Sequence, residues 1–272
     1  MPVIATNTSA NSALLYLYHN SRAQEKSLSK LASGSRIVRA SDDAAGLAVG
    51  TKLKSDVTVL KQAATNAVQA RSVLQTADGA LSRIGDILQR MKSLAAQSNS
   101  GSVDATARGF INTEFLQLRG EVDAIATATT FNGTTLIDGN YNQNFQVGIA
   151  ATATIVVNIT AVDANIAALG ITASVVDTVA NAVTASGALD AAINSISSHR
   201  ATVGSRLSRF EYRGDVVNDA IENLSSAQSA IMDVDIAAEQ SNLVSKQVLT
   251  EASIAALAQA NQMKSSLLSL VR

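Results

Sequence analysis

Apolar residues recur along this chain at helical spacing, over stretches longer than an ordinary globular helix. From residue 53, Leu53, Leu60, Ala67, Leu74, Leu81, Leu88 and Ala95 follow one another every seven residues. A second series, Ala63, Ala70, Ala77, Ile84 and Met91, lies three residues after members of the first. Together they occupy the a and d positions of a heptad seam. Small alanines in the second series let a partner helix approach closely, and residues 44 to 98 as one helix would measure roughly 80 Å at 1.5 Å per residue. The only proline stands at position 2, so no missing N–H or ring clash breaks such a helix.

A second helix is predicted after "NSGSVD", with Ile111, Leu118 and Ile125 seven apart and Phe115 and Val122 beside them. From 189 to 231 apolar positions step by four and three: Leu189, Ile193, Ile196, Val203, Leu207, Phe210, Val217, Ile221, Leu224 and Ile231, with Arg200, Gly214 and Gln228 interrupting the stripe. Apolar seams must be buried against one another, which predicts a mainly α fold: a long, coiled-coil-like antiparallel helical bundle. Between the second and third helices the period changes. "FNGTTLIDGNYNQNFQVG" carries the hairpin-turn dipeptides Asn132-Gly133 and Asp138-Gly139, and "ATIVVNITAV" is β-branched. A small β-hairpin region is expected around 131–160, with helix resuming by about residue 175.

The two ends read differently. Leu243, Ile254, Leu257 and Leu268 fall within about 60° of arc on a 3.6-residue helix, while Leu249 and Leu267 share a face about 120° round. The N-terminal segment aligns Leu17 with Leu28 and has Leu14 and Leu31 nearby, so the terminal helices are expected to pair as a two-helix coiled coil. A lone pair with exposed leucines is marginal in water. Either neighbouring copies complete these ends or both helices fold back on the bundle, and periodicity alone does not choose. Between the N-terminal helix and the long one, "SGSRIVRASDD" reads as a non-helical connector. Gly34 suits a helix C-terminal cap, Arg36 and Arg39 lie within the connector, and Asp42 and Asp43 stand where carboxylates meet free N–H groups and the helix dipole.

Composition narrows the function. With 272 residues, 47% hydrophobic and 16% charged, the chain has material for a core. Net charge is −1 and the cations are scattered, so nucleic acid is not an expected partner. No window reaches the roughly 18 to 20 uninterrupted apolar residues of a membrane span, and no membrane partner is expected. The N-terminus lacks a basic region ahead of an apolar run, so export would take a route other than a cleavable signal. The absence of Cys removes disulfides, thiolate metal sites and cysteine nucleophiles. His19 and His199 are far apart in sequence, the spacing of Asp233, Asp235 and Glu239 fits a helix start and no EF-hand loop, and no phosphate-loop, nucleophile-elbow or zinc-protease motif appears. Neither catalysis nor a cofactor is expected. Asn7-Thr8-Ser9 and Asn132-Gly133-Thr134 match the N-glycosylation pattern, a triplet common by chance.

"LASGSRIVRASDDAAGLAV" and "FNGTTLIDG" in the N-terminal half, and "AIENLSSAQSAIMDVDIAAEQSNLVSKQVLTEASIAALAQANQMKSSLLSL" at the C-terminus, resemble the bacterial flagellins, subunits of the flagellar filament. Many flagellins insert large outer domains in the middle, whereas here the chain returns to helix, as in the short flagellins. The resemblance implies a self-assembling homopolymer used for swimming. Residues 1–43 and 233–272 would form the filament core layer, and 44–232 a helical rod domain whose β-hairpins pack along a protofilament. It further implies export through the flagellar type III channel, a cytoplasmic export chaperone on the C-terminal helix, and filament cap and hook-associated proteins as partners, with an extracellular location. A hook-filament junction protein shares the terminal heptads and is the alternative; a membrane-active translocator is a third reading from another class. The stretch "LQRMKSLAAQ" matches the face by which flagellins meet a host Toll-like receptor. That match carries Gln89, Arg90, Leu94 and Gln97, with Glu114 from the second helix, while Lys92 and Ser93 depart from the family pattern. On sequence grounds alone, these polar residues are a solvated helix face.

Overall fold

A computed structural model of the chain describes the backbone of residues 6–270, with side chains to residue 266. In order, the elements are α1 (Thr8–Ser33), α2 (Ala44–Ser98), α3 (Ala105–Ala128), β1 (Thr130–Phe131), β2 (Thr134–Thr135), β3 (Asn142–Gln146), β4 (Thr154–Asn158), α4 (Val179–Met232) and α5 (Ile236–Leu270). They divide into two compact units. One gathers the ends of the chain, up to Asp56 and from Asn223 onward; the other runs from Val57 to Glu222. The fold is mainly helical with two small antiparallel hairpins.

The Val57–Glu222 unit realises the heptad pattern. Both series of α2 are buried, with Ala70, Leu74, Ala77, Leu81, Ile84, Leu88, Met91 and Ala95 fully so, packed with Phe115 and Val122 of α3 and Leu189, Ile196, Val203 and Phe210 of α4. Leu60 is buried and Ile221 half-buried. The outlying seam positions Leu53, Leu224 and Ile231 are half-buried and belong to the other unit. Helix termini are satisfied locally: Asp104 accepts from the Ala107 N–H at 2.7 Å at the start of α3, and Arg108 closes the end of α2 by donating from Nε to the Ser98 carbonyl at 2.9 Å.

Helix resumes at Val179, later than the expected residue 175. The intervening chain is committed elsewhere. The Ser98 hydroxyl donates to the Val176 carbonyl at 2.5 Å, the Val176 N–H donates to Asn112 Oδ1 at 2.9 Å, and Arg119 donates to the Ser174 carbonyl at 2.9 Å. These bonds tie 174–176 to α2 and α3 before Thr178 starts the new helix by accepting from the Ala182 and Asn181 N–H groups.

Asn132 and Gly133 turn β1 into β2 with φ of 49° and 77°, the left-handed pair a two-residue hairpin requires. Asp138-Gly139, expected as a hairpin turn, is not one. Asp138 bridges to Asp163 and the Gly139 N–H donates to the Val162 carbonyl at 3.1 Å, so the dipeptide joins the two hairpins. The second hairpin closes where the Val147 N–H donates to the Ala153 carbonyl at 2.9 Å. Its inner face meets the bundle through Phe145, edge-on to Phe210 with centroids 6.1 Å apart, and through Asn66, which donates to the Gln146 carbonyl at 3.0 Å.

Candidate assembly surface

In the unit built from the ends, α1 and α5 run antiparallel. The residues shielded between them follow a seven-residue repeat: Ala10, Ala13, Leu17, Asn20, Gln24, Ser27 and Leu31 on α1, and Glu239, Leu243, Lys246, Thr250, Ser253, Leu257 and Ala260 on α5. Half of them are polar or charged. Asn7 caps α1 by accepting from the Ala10 N–H and donates its amide to the Ala260 carbonyl at 3.0 Å; Asn20 donates to Ser253 Oγ at 3.4 Å; Lys30 pairs with Glu239 at 3.6 Å.

Several long aliphatic side chains point outward. Leu14 and Leu28 are 57% and 58% exposed, and Leu15, Tyr18, Val244, Val248, Leu249 and Ile254 are also exposed. The structure therefore splits two groupings that the straight-helix projection put together. Leu17 faces the seam and Leu28 the outside; Leu243 and Leu257 face in and Ile254 out. Each split pair is 11 residues apart, and within a seven-residue repeat that step leaves the seam by about 50°. Leu267 and Leu268 lie outside the described side chains.

The connector is pinned by hydrogen bonds at both ends. Gly34 ends α1 with φ of 68°, its carbonyl accepts from the Val234 N–H at 3.1 Å, and the Arg36 N–H donates to the Met232 carbonyl at 2.7 Å. Ile37 is buried. Asp43 caps α2, accepting from the Gly46 N–H at 2.8 Å. Asp42 does not; it turns back to accept from the Val38 and Arg39 N–H groups and pairs with Lys26 at 2.8 Å. The Lys26 ammonium, then the Arg39 N–H, hold its carboxyl below the usual range. Arg36 and Arg39 remain exposed. At the start of α5, Asp235 accepts from the Ala238 N–H and Asp233 accepts from the Ser229 hydroxyl.

On the other unit, Gln89, Arg90 and Gln97 are exposed on α2, and Arg90 reaches Glu114 on α3 with Nη2 at 2.7 Å and Nε at 2.9 Å. Leu94 is absent from this face. It is buried in the core, because α2 is covered on two sides there, with Arg90 paired to α3 and Lys92 to Asp190 of α4. Among the described residues no helix is long and apolar enough to cross a membrane.

Two family models match this chain, the bacterial flagellin N-terminal helical region over residues 4–142 and the bacterial flagellin C-terminal helical region over residues 186–271. The chain belongs to the bacterial flagellin family. This flagellin is 37% identical to the flagellin of Bacillus subtilis over 98% of both chains, and 36% identical to the flagellar filament 33 kDa core protein of Treponema phagedenis over 99% of this chain and 100% of that one. Among solved structures, Bacillus cereus flagellin superposes with a TM-score of 0.51 at 32% identity, covering 60% of this chain and 94% of that one. A putative flagellar hook-associated protein from Vibrio parahaemolyticus has a TM-score of 0.58 over 71% of this chain and 100% of that one, but at 14% identity the likeness is one of fold.

Proposed function

We propose that this flagellin, a structural subunit of the bacterial flagellar filament that serves swimming motility, enters the filament through the outward faces of α1 and α5. One observation carries the reading: the terminal helices pair through a polar seam and leave Leu14, Leu28, Leu249 and Ile254 in solvent. Apolar surface of this kind is stabilised by burial against neighbouring copies, at about 25 cal/mol per Å². On this reading residues 1–43 and 233–272 form the filament core and 44–232 the rod domain.

The same exposure supports an export chaperone covering α5 before secretion through the type III channel. Filament cap and hook-associated proteins are the expected neighbours at the growing and basal ends. The face of Gln89, Arg90, Gln97 and Glu114, without Leu94, is the proposed contact for a Toll-like receptor.

Seeded polymerisation tests the reading. Heat-monomerised full-length chain, returned to neutral buffer with filament fragments, is expected to grow long filaments that pellet. The Leu14→Ser/Ile254→Ser chain is expected to stay in the supernatant while its melting is unchanged. A variant that polymerises like wild type would remove α1 and α5 from the contact.

A further inference from the structure

The Val57–Glu222 unit carries an open groove of about 620 Å³ between α2 and α4. Its floor is apolar, with Ala67, the 57% exposed Val68 and Phe210, and Gly214 leaves it unfilled: a Cβ added there would meet nothing within 4 Å. Its rim carries Glu211 and Asp215, both exposed. Arg71 also lines it, so two carboxylates face one guanidinium and the groove is net negative.

The connector has the complementary chemistry. Arg36 and Arg39 are exposed and flank Val38, itself 38% exposed. Among the described residues, neither these two arginines nor Glu211 and Asp215 take part in an ion pair. The projection is held in shape before any encounter. Ile37 is buried beneath it, the Arg36 N–H is bound to the Met232 carbonyl, and Asp42 accepts from the Val38 and Arg39 N–H groups. A preorganised loop gives up little conformational entropy on docking, and guanidinium groups suit bidentate pairing with carboxylates.

We propose that the connector of one copy seats in the α2/α4 groove of another, with Val38 against the exposed Val68 and with Arg36 and Arg39 meeting Glu211 and Asp215. The occupant is a second copy of this chain. The proposal rests on the filament reading and adds a second contact, independent of the terminal helices. It makes filament growth salt-sensitive, because half-exposed ion pairs are screened over about 8 Å at physiological ionic strength.

Charge exchange tests it. Arg39→Glu and Asp215→Arg, each alone in the full chain, should raise the critical concentration for seeded growth about tenfold, and the two together should recover most of that loss. Lys52→Glu, at an exposed position of α2 outside both the groove and the terminal seam, combined with Asp215→Arg serves as a control and should not recover it. As a second measurement, the chain has no cysteine of its own, so Val38→Cys and Val68→Cys chains can be mixed and treated with a short bismaleimide. A covalent dimer is expected in filaments and not in monomers. Single reversals that leave growth unchanged, a double variant without recovery, or filaments that form without cross-linking would each overturn the docking while leaving the filament reading intact. Wild-type chain that stays soluble under seeding would overturn both.

Discussion

The two seams of this molecule obey one geometry and opposite chemistries. Within the Val57–Glu222 unit the a and d positions of α2 are aliphatic and fully buried. Between α1 and α5 half the positions of the same seven-residue repeat are polar or charged, among them Asn20, Gln24, Ser27, Lys246, Thr250 and Ser253, beside Leu17, Leu31, Leu243 and Leu257, and the other aliphatic residues lie outside. A dry apolar seam stabilises a single chain. A polar seam sets register at a cost in stability, and here it leaves apolar surface in solvent. The first unit is thus finished by its own sequence, whereas the second keeps Leu14, Leu28, Leu249 and Ile254 exposed.

The comparison breaks hardest at Phe210, fully buried and edge-on to Phe145. Phe210→Ala should lower the stability of the isolated chain by about 3–5 kcal/mol, read as a drop in the denaturation midpoint. A loss under 1 kcal/mol would show that the groove beside it already gives the ring freedom. The converse change is smaller. Asn20→Leu with Ser253→Leu makes the terminal seam apolar, and amide exchange in α1 and α5 of the monomer should slow about tenfold or more, equivalent to roughly 1.4 kcal/mol. Unchanged exchange would mean that seam polarity is not what keeps the terminal pair weak.

Much of this was legible in sequence, for identifiable reasons. The α2 seam could be read because leucine and alanine at seven-residue spacing have one reading on a chain whose single proline stands at position 2, and the predicted span 44–98 matches the observed helix. Gly34 as a helix cap followed from its freedom at positive φ, observed at 68°. The outward facing of Leu28 and Ile254 could not be read from the straight-helix angle, since the choice between 3.6 and 3.5 residues per turn is made by the partner helix. Leu94 was misplaced for a related reason: a helix with two partners buries a wider stripe than a two-helix seam. Ala182, Ala185 and Ala192 complete the α4 core, yet small residues carry too weak a hydrophobic signal to announce it. The groove and the connector's pairing with 232–234 are long-range facts with no local signature.

His199 offers a gentler probe of the same unit. Burial lowers its pKa, and only partly does the Asp163 backbone and charge offset this. A base whose folded pKa lies below its unfolded value binds more protons when unfolded. Stability should therefore be full above the unfolded value near 6.5 and decline as pH falls through the folded value. Comparing the melting of wild type and His199→Gln between pH 7.5 and 5 should show the wild type losing more. Parallel curves would place the acid sensitivity elsewhere. Asp42 acts at the terminal unit with the same sign in a lower window, because its carboxyl is held below its ordinary value.

The smallest effect is expected at Arg90 and Glu114, which join α2 to α3 with side chains 56% and 44% exposed. Exposed pairs contribute about 0.2–1 kcal/mol. A double-mutant cycle of Arg90→Gln and Glu114→Gln should give a coupling within that range, reduced further in 1 M salt. A coupling above about 2 kcal/mol would mean the pair is shielded by something the isolated chain does not provide. A weak coupling has its own consequence: with Met91, Leu94 and Ala95 buried beneath, the polar residues of this face can change without endangering the fold. Substitutions among Gln89, Arg90, Ser93 and Gln97 should therefore shift the melting of the isolated chain only slightly.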